Sequence, residues 1–163
     1  MMKEMPERGS NRQPEPQART LLVAIGNDAR QDDGLGWAYA RAVEMQGRFA
    51  GDVEYRYQLQ VEDADLIAAY DQVVFADASK EALPGGYMFA PLEPALEFAF
   101  TTHALAPAAV LALCENIYGR RPRAWLMAIG GVAWELEFGL SEAGRRHLEW
   151  ALRSDNGVIP LPD

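Results

Sequence analysis

The 163-residue chain has the length of one ordinary globular domain, and its 49% apolar and 24% charged residues exclude a disordered or collagen-like chain. Its 15 Lys+Arg against 24 Asp+Glu leave a net charge of -9, a field that repels phosphate and argues against nucleic acid or an anionic membrane face as partner. No run approaches the ~20 apolar residues of a membrane span, no signal peptide or membrane insertion is expected, and the single cysteine, Cys114, makes a reducing cytoplasm the expected compartment.

Residues 1–18 hold three prolines, many charges and almost no aliphatic side chain, so they are read as a flexible tail ahead of one α/β domain over residues 19–163. Residues 21–25 (LLVAI) form a short apolar run that ends in Gly26-Asn27 and predicts a buried parallel strand. A helical pattern spans 35–45. Residues 53–57 alternate, which places a strand nearer the sheet edge. A short helix is expected over 63–70, a second buried strand over 73–76, and a turn at 84–86 leading into a strand to 89. Pro107 at a first helical position and Gly119 at the stop bound a helix over 107–118. Residues 124–129 read as a buried strand ending in Gly130-Gly131, and Ser141 as the N-cap of a last helix to 153. This alternation predicts an α/β sandwich with a largely parallel sheet covered on both faces.

In such folds sites lie beyond the carboxyl ends of the strands. Asp33 follows the first strand, Asp77 ends the run at 73–76, and His103 lies in the loop ahead of the Pro107 helix. Two carboxylates and an imidazole make a partial shell for a transition metal, with positions open for water or substrate. Each residue also has a structural reading. An acid pair before glycine, as in Asp32-Asp33-Gly34, suits a turn and a helix start. Asp77 suits a loop cap, and His103 a hydrogen bond to a loop carbonyl. His147 falls among Arg145, Arg146 and Glu149, which predicts a solvated face. Cys114, among Leu111, Leu113 and Ile117, reads as a small buried residue rather than a nucleophile. The first loop lacks both the P-loop and the dinucleotide glycine patterns, and no Ser sits in a Gly-x-Ser-x-Gly elbow.

Ile25-Gly26-Asn27 followed by Asp32-Asp33-Gly34-Leu35-Gly36 resembles the opening signature of the [NiFe]-hydrogenase maturation proteases. Phe75-Ala76-Asp77-Ala78 is similar to their second motif, and Thr102-His103-Ala104-Leu105 with the Pro107 helix to their third. Tyr118-Gly119-Arg120, the strand to Ile129 and Gly139-Leu140-Ser141 resemble the closing pattern, so the likeness covers residues 20–153 in order. The chain departs from the pattern at Ala24, where the family often has Gly, and at residues 58–62 (QLQVE), where a frequent Asp-Gly-Gly segment is absent.

The resemblance implies a three-layer α/β/α sandwich, phosphorylase/hydrolase-like, on a mixed, mainly parallel five-stranded sheet. It implies an endopeptidase that removes the C-terminal extension of a nickel-loaded [NiFe]-hydrogenase large-subunit precursor, the expected partner. Asp33, Asp77 and His103 would contact nickel that arrives with the substrate, and no organic cofactor is expected. Asn27, Glu62 and Trp134 are read as substrate-contacting. One alternative is a catalytically idle relative that binds metal or a partner. Another is a receiver-type signalling module, which needs a Lys at the end of its last strand where this chain has Ile129-Gly130-Gly131.

Overall fold

The computed structural model describes residues 18–96 and 105–154. The expected tail, apart from Ala18, lies outside the described residues, as do the last nine residues and His103. Five strands form one sheet: β1 (Thr20–Ile25), β2 (Asp52–Arg56), β3 (Gln72–Ser79), β4 (Tyr87–Leu92) and β5 (Arg123–Gly130), in spatial order β2-β1-β3-β5-β4. Four of them run parallel, and β4 pairs antiparallel with β5 on the edge. The sheet is therefore mixed and mainly parallel. A receiver-like sheet has the order 2-1-3-4-5 with every strand parallel, so the antiparallel β4 sets this fold apart from that alternative.

Strand pleating sends alternate side chains to opposite faces, and the central strands are apolar on both. Leu21, Val23 and Ile25 of β1 and Val73 and Phe75 of β3 face α2 (Asp63–Ala68) and α3 (Pro107–Tyr118). Leu22, Ala24, Val74, Ala76, Trp125, Met127 and Ile129 face α1 (Leu35–Met45) and α4 (Glu142–Arg153). The result is a three-layer α/β/α sandwich. Cys114 is a fully buried free thiol in the first of these cores.

The helix boundaries follow from local chemistry. Pro107 opens α3, and Gly119 ends it with a φ of 63°, a conformation that favours glycine. Ser141 caps α4, its Oγ accepting from the Gly144 N–H at 3.0 Å. His147 departs from the solvated face expected for it. Its ring is half-buried, Nδ1 lies 2.6 Å from the Gly130 carbonyl oxygen, and it packs on Trp150, so it ties α4 to the end of β5. The helical period alone cannot place α4 against a strand end. Among the described residues no helix is long and apolar enough to cross a membrane.

The approach of α1 to the sheet positions the site. A β-carbon on Gly36 would lie 2.4 Å from the Ala76 carbonyl oxygen and 2.5 Å from that of Ile25. The first turn of α1 thus rests directly on the carboxyl ends of β3 and β1, where only glycine fits. Helix propensity alone gives Gly36→Ala a gain of ~1 kcal/mol. We expect a loss of about 2–3 kcal/mol instead, because two strand carbonyls cannot yield. Urea unfolding of the variant measures the sign.

Candidate active site

β1 hands the chain through Gly26 and Asn27 into a 3₁₀ segment, Asp28–Gly34, which leads into α1. Asn27 holds this segment together. Its Oδ1 accepts from the Ala29 N–H at 2.9 Å, and its own N–H donates to the Asp33 carbonyl at 3.1 Å. Gln31 adopts a φ of 47°, a conformation few non-glycine residues take. Two bonds to the loop after β5 hold it there: its N–H donates to the Glu137 carbonyl, and its Oε1 accepts from the Glu135 N–H, each at 2.9 Å.

The two neighbouring acids Asp32 and Asp33 have opposite environments. Asp32 is completely buried. Its Oδ2 accepts from the Val132 N–H at 2.8 Å, the Ala133 N–H at 3.1 Å and the Ser141 Oγ at 2.6 Å, while Oδ1 accepts from the Ser141 N–H at 2.8 Å. Burial pushes its pKa up, but the bonds from Ser141, Val132 and Ala133 together outweigh it and hold the carboxyl below its ordinary value. This acid was expected to support a turn or the start of its own helix. It reaches instead across the molecule to the start of α4. A β-carbon on Gly144 would stand 2.5 Å from Asp32 Oδ1, so the first turn of α4 closes directly onto the carboxylate.

Asp33 is only half-buried. Burial pushes its pKa up, opposed by the positive charges of Lys80 and Arg30 and by the Asn27 N–H. Asp77 lies within β3 rather than just beyond it, because β3 and β5 stay paired through Ser79 and Gly130. Its Oδ1 accepts from the Ala78 N–H at 2.8 Å. Burial raises its pKa to about 7 against that one bond, and the nearby negative charge of Asp33 adds to the rise. The structure thus brings Asp33 and Asp77 into one electrostatic unit. The unit sits between β1 and β3, where the connection from β1 turns one way to β2 and the chain then returns to the other side. This reversal of strand order is the usual crevice of open α/β sheets.

Trp134, in the loop after β5, is half-buried, and the Lys80 ammonium lies 5.1 Å from its ring centroid. Lys80 therefore stands in the field of Asp33 and on the face of Trp134, which puts Trp134 at the rim of the acid pair. Sequence reasoning missed Lys80, whose only signal is its position just after β3, and Gln31, which lies inside the Asp28–Gly34 segment. It also missed the second task of Ser141. Glu62 is exposed and lines a cleft of about 710 Å³ between the end of β2 and α2. There Arg56 binds Asp63 at 3.0 Å and Glu54 at 3.1 Å. Neither Asp33 nor Asp77 lines that cleft. His103 lies outside the described residues; Leu105, beyond it in sequence, donates its N–H to the Leu59 carbonyl in the loop after β2 at 3.4 Å. Among the described residues no three His, Cys, Asp or Glu side chains are grouped to hold a metal ion. The acid pair supplies hard oxygen donors, which suit a divalent cation once a further ligand joins them.

No family model matches the chain, and no curated protein does. Solved structures do. The hydrogenase maturating endopeptidase HybD from E. coli is 24% identical, covers 84% of this chain and 89% of its own, and superposes with a TM-score of 0.65. The [NiFe] hydrogenase maturation protease HycI from Thermococcus kodakarensis is 24% identical over 86% and 92%, with a TM-score of 0.63. The HybD protease of that organism is 22% identical over 85% and 97%, with a TM-score of 0.57. The chain has the fold of these endopeptidases. The α/β/α architecture and mixed sheet expected from the resemblance are thereby found in the chain itself.

Two substitutions test the contrast between the acids. Asp32→Asn turns an amide N–H₂ toward donors that need an acceptor, and it should cost about 2–3 kcal/mol at pH 7; Asp33→Asn should stay within about 1 kcal/mol. The Asp32 contribution is complete above the ordinary carboxylate pKa and is lost as pH falls through its lowered folded value. Asp77 carries the opposite sign. Its folded pKa is raised, so the native state holds more protons than the unfolded chain between the ordinary carboxylate pKa and about 7, and stability falls as pH rises through that window. Asp77→Asn should flatten this fall and gain about 1–2 kcal/mol at pH 8, after allowance for residual hydration. Denaturant melts of the parent and each variant at pH 5 and pH 8 read the Asp77 effect, and a further melt at about pH 3, below the ordinary carboxylate pKa, reads the loss of the Asp32 contribution.

Proposed function

We propose that this chain is a hydrogenase maturation endopeptidase. In this reading it removes the C-terminal extension of a nickel-loaded [NiFe]-hydrogenase large-subunit precursor, with Asp33, Asp77 and His103 contacting the nickel of the substrate. The observation that carries it is the convergence of Asp33 and Asp77 on the strand-order switch of a fold shared with solved peptidases of that name. The half-satisfied state of the pair supports it as well. A carboxylate with every lone pair engaged, like that of Asp32, has little to offer a substrate, whereas Asp33 and Asp77 keep acceptor capacity free for a cation or a water proton.

The chemistry is a hydrolysis. Water attacks the scissile carbonyl carbon, a C–O bond forms, the C–N bond breaks, and the departing amine takes a proton. One carboxylate of the pair receives the proton of the attacking water. Nickel seated in the substrate and contacted by the pair draws the scissile bond to the acids, so cleavage waits for nickel insertion. Among the remaining candidates Trp134 is the best placed to touch substrate, since it flanks the pair through Lys80. Asn27 is occupied with capping its own segment, and Glu62 belongs to the neighbouring cleft.

Incubation of purified precursor with this protein, followed by mass spectrometry, tests the reading. A nickel-loaded precursor should lose a C-terminal peptide, and a nickel-free one should not. Asp33→Asn, Asp77→Asn and His103→Ala should each lower the cleavage rate at least ~100-fold while the protein stays folded. An intact loaded precursor after prolonged incubation refutes the activity.

A further inference from the structure

The loop joining β5 to α4 exposes large apolar side chains and holds them still. Val132, Leu136 and Phe138 are 61%, 75% and 77% exposed. Single exposed apolar residues are ordinary, but these alternate along one short loop that has little freedom. Val132 and Ala133 donate to the Asp32 carboxylate, Ala133 and Glu137 accept from the backbone of Asp32 and Gln31, and Glu135 donates to the Gln31 side chain. Gln31 keeps a costly backbone conformation to make two of these bonds. Exposure of this kind is prepared before any partner arrives, which lowers the ordering cost of binding.

The loop also has a charge. Glu135 and Glu137 alternate with the apolar residues, neither is ion-paired among the described residues, and residues 124–144 contain no Lys or Arg. Beside Phe138 lies a hollow of about 230 Å³, lined also by Gln31, Gly34, Ala38, Leu140 and the Arg41–Asp28 ion pair, whose charges offset each other at 3.3 Å. At the other end of the loop Trp134 reaches Lys80 and the rim of the acid pair. The surface therefore runs from the candidate catalytic carboxylates to a pocket that fits one side chain.

We propose that this loop docks a peptide segment of the protein substrate carrying a large apolar side chain flanked by Lys or Arg. The apolar side chain fills the hollow beside Phe138, and the basic groups meet Glu135 and Glu137. The proposal rests on the peptidase reading above and adds how the substrate is gripped. Apolar burial supplies the affinity, and the unpaired carboxylates supply orientation and a salt-dependent encounter rate.

Two double variants test it on the full chain: Leu136→Ser with Phe138→Ser, and Glu135→Gln with Glu137→Gln. All four side chains are exposed, so the unfolding midpoints should match the parent. With nickel-loaded precursor as substrate, each pair should raise KM about tenfold, with the loss falling on KM rather than kcat, and the Gln pair should also weaken the dependence of KM on salt. An unchanged KM in both pairs overturns the docking surface and leaves the peptidase reading intact. If the parent protein cleaves nothing, the peptidase reading falls alone, and precursor affinity decides: weaker binding by both pairs supports the surface, and equal or absent binding by the parent overturns it. A parent dimer that the Ser pair dissolves in sedimentation would make the loop a self-association face and also overturn it.

Discussion

The buried carboxylate of Asp32 is the contact on which the site end of this molecule depends. It gathers the segment after β1, the loop after β5 and the N-terminus of α4 through four hydrogen bonds from Val132, Ala133 and Ser141. A buried charge is strongly unfavourable unless its lone pairs are satisfied. Here backbone N–H groups and one hydroxyl do so with no positively charged partner among the described residues, and the carboxyl is held below its ordinary pKa. Ser141 completes the arrangement, because the hydroxyl that donates to Asp32 also accepts from Gly144 and caps α4. Geometry leaves no room for change: α4 can close on the carboxylate only because Gly144 has no side chain.

From this anchor follows the different treatment of its neighbour. With Asp32 turned inward and fixed, the next residue along the 3₁₀ segment is presented at the carboxyl edge of the sheet, near Asp77 two residues inside the end of β3. Neither Asp33 nor Asp77 receives donors enough to offset its burial, and burial pushes both pKa values up from the ordinary carboxylate value, that of Asp77 to about 7. One acid of the Asp-Asp pair thus stabilises the fold while the other weakens it. A stability deficit concentrated on acids at a strand-order switch is the pattern expected of groups kept for chemistry.

Lys80 and Trp134 show how the rim is joined to that pair. Lys80 comes just after β3 and Trp134 from the loop after β5, and the ammonium–ring contact between them sits within the field of Asp33. The loop carrying Trp134 is itself pinned by Gln31 and Asp32. The acids and the candidate substrate surface therefore share one support, and a change in either is transmitted through the same few hydrogen bonds.

The sequence by itself determined the layers. Apolar runs bounded by Gly and polar residues placed β1, β3 and β5, alternation placed β2 at the edge where it lies, and Pro107, Gly119 and Ser141 marked helix ends that the structure keeps within a residue. These features are legible because periodicity and capping act over a few neighbouring residues. Asp33 and Asp77 were also legible as strand-end acids, since a parallel sheet puts its crevice at those ends. Only the tertiary structure decided which acid of the pair at 32 and 33 is structural, that His147 turns inward to Gly130, and that Gln31 and Lys80 support the site. The role of each is set by donors, carbonyls and charges far along the chain, and one residue's own chemistry is the same whether or not those partners fold around it.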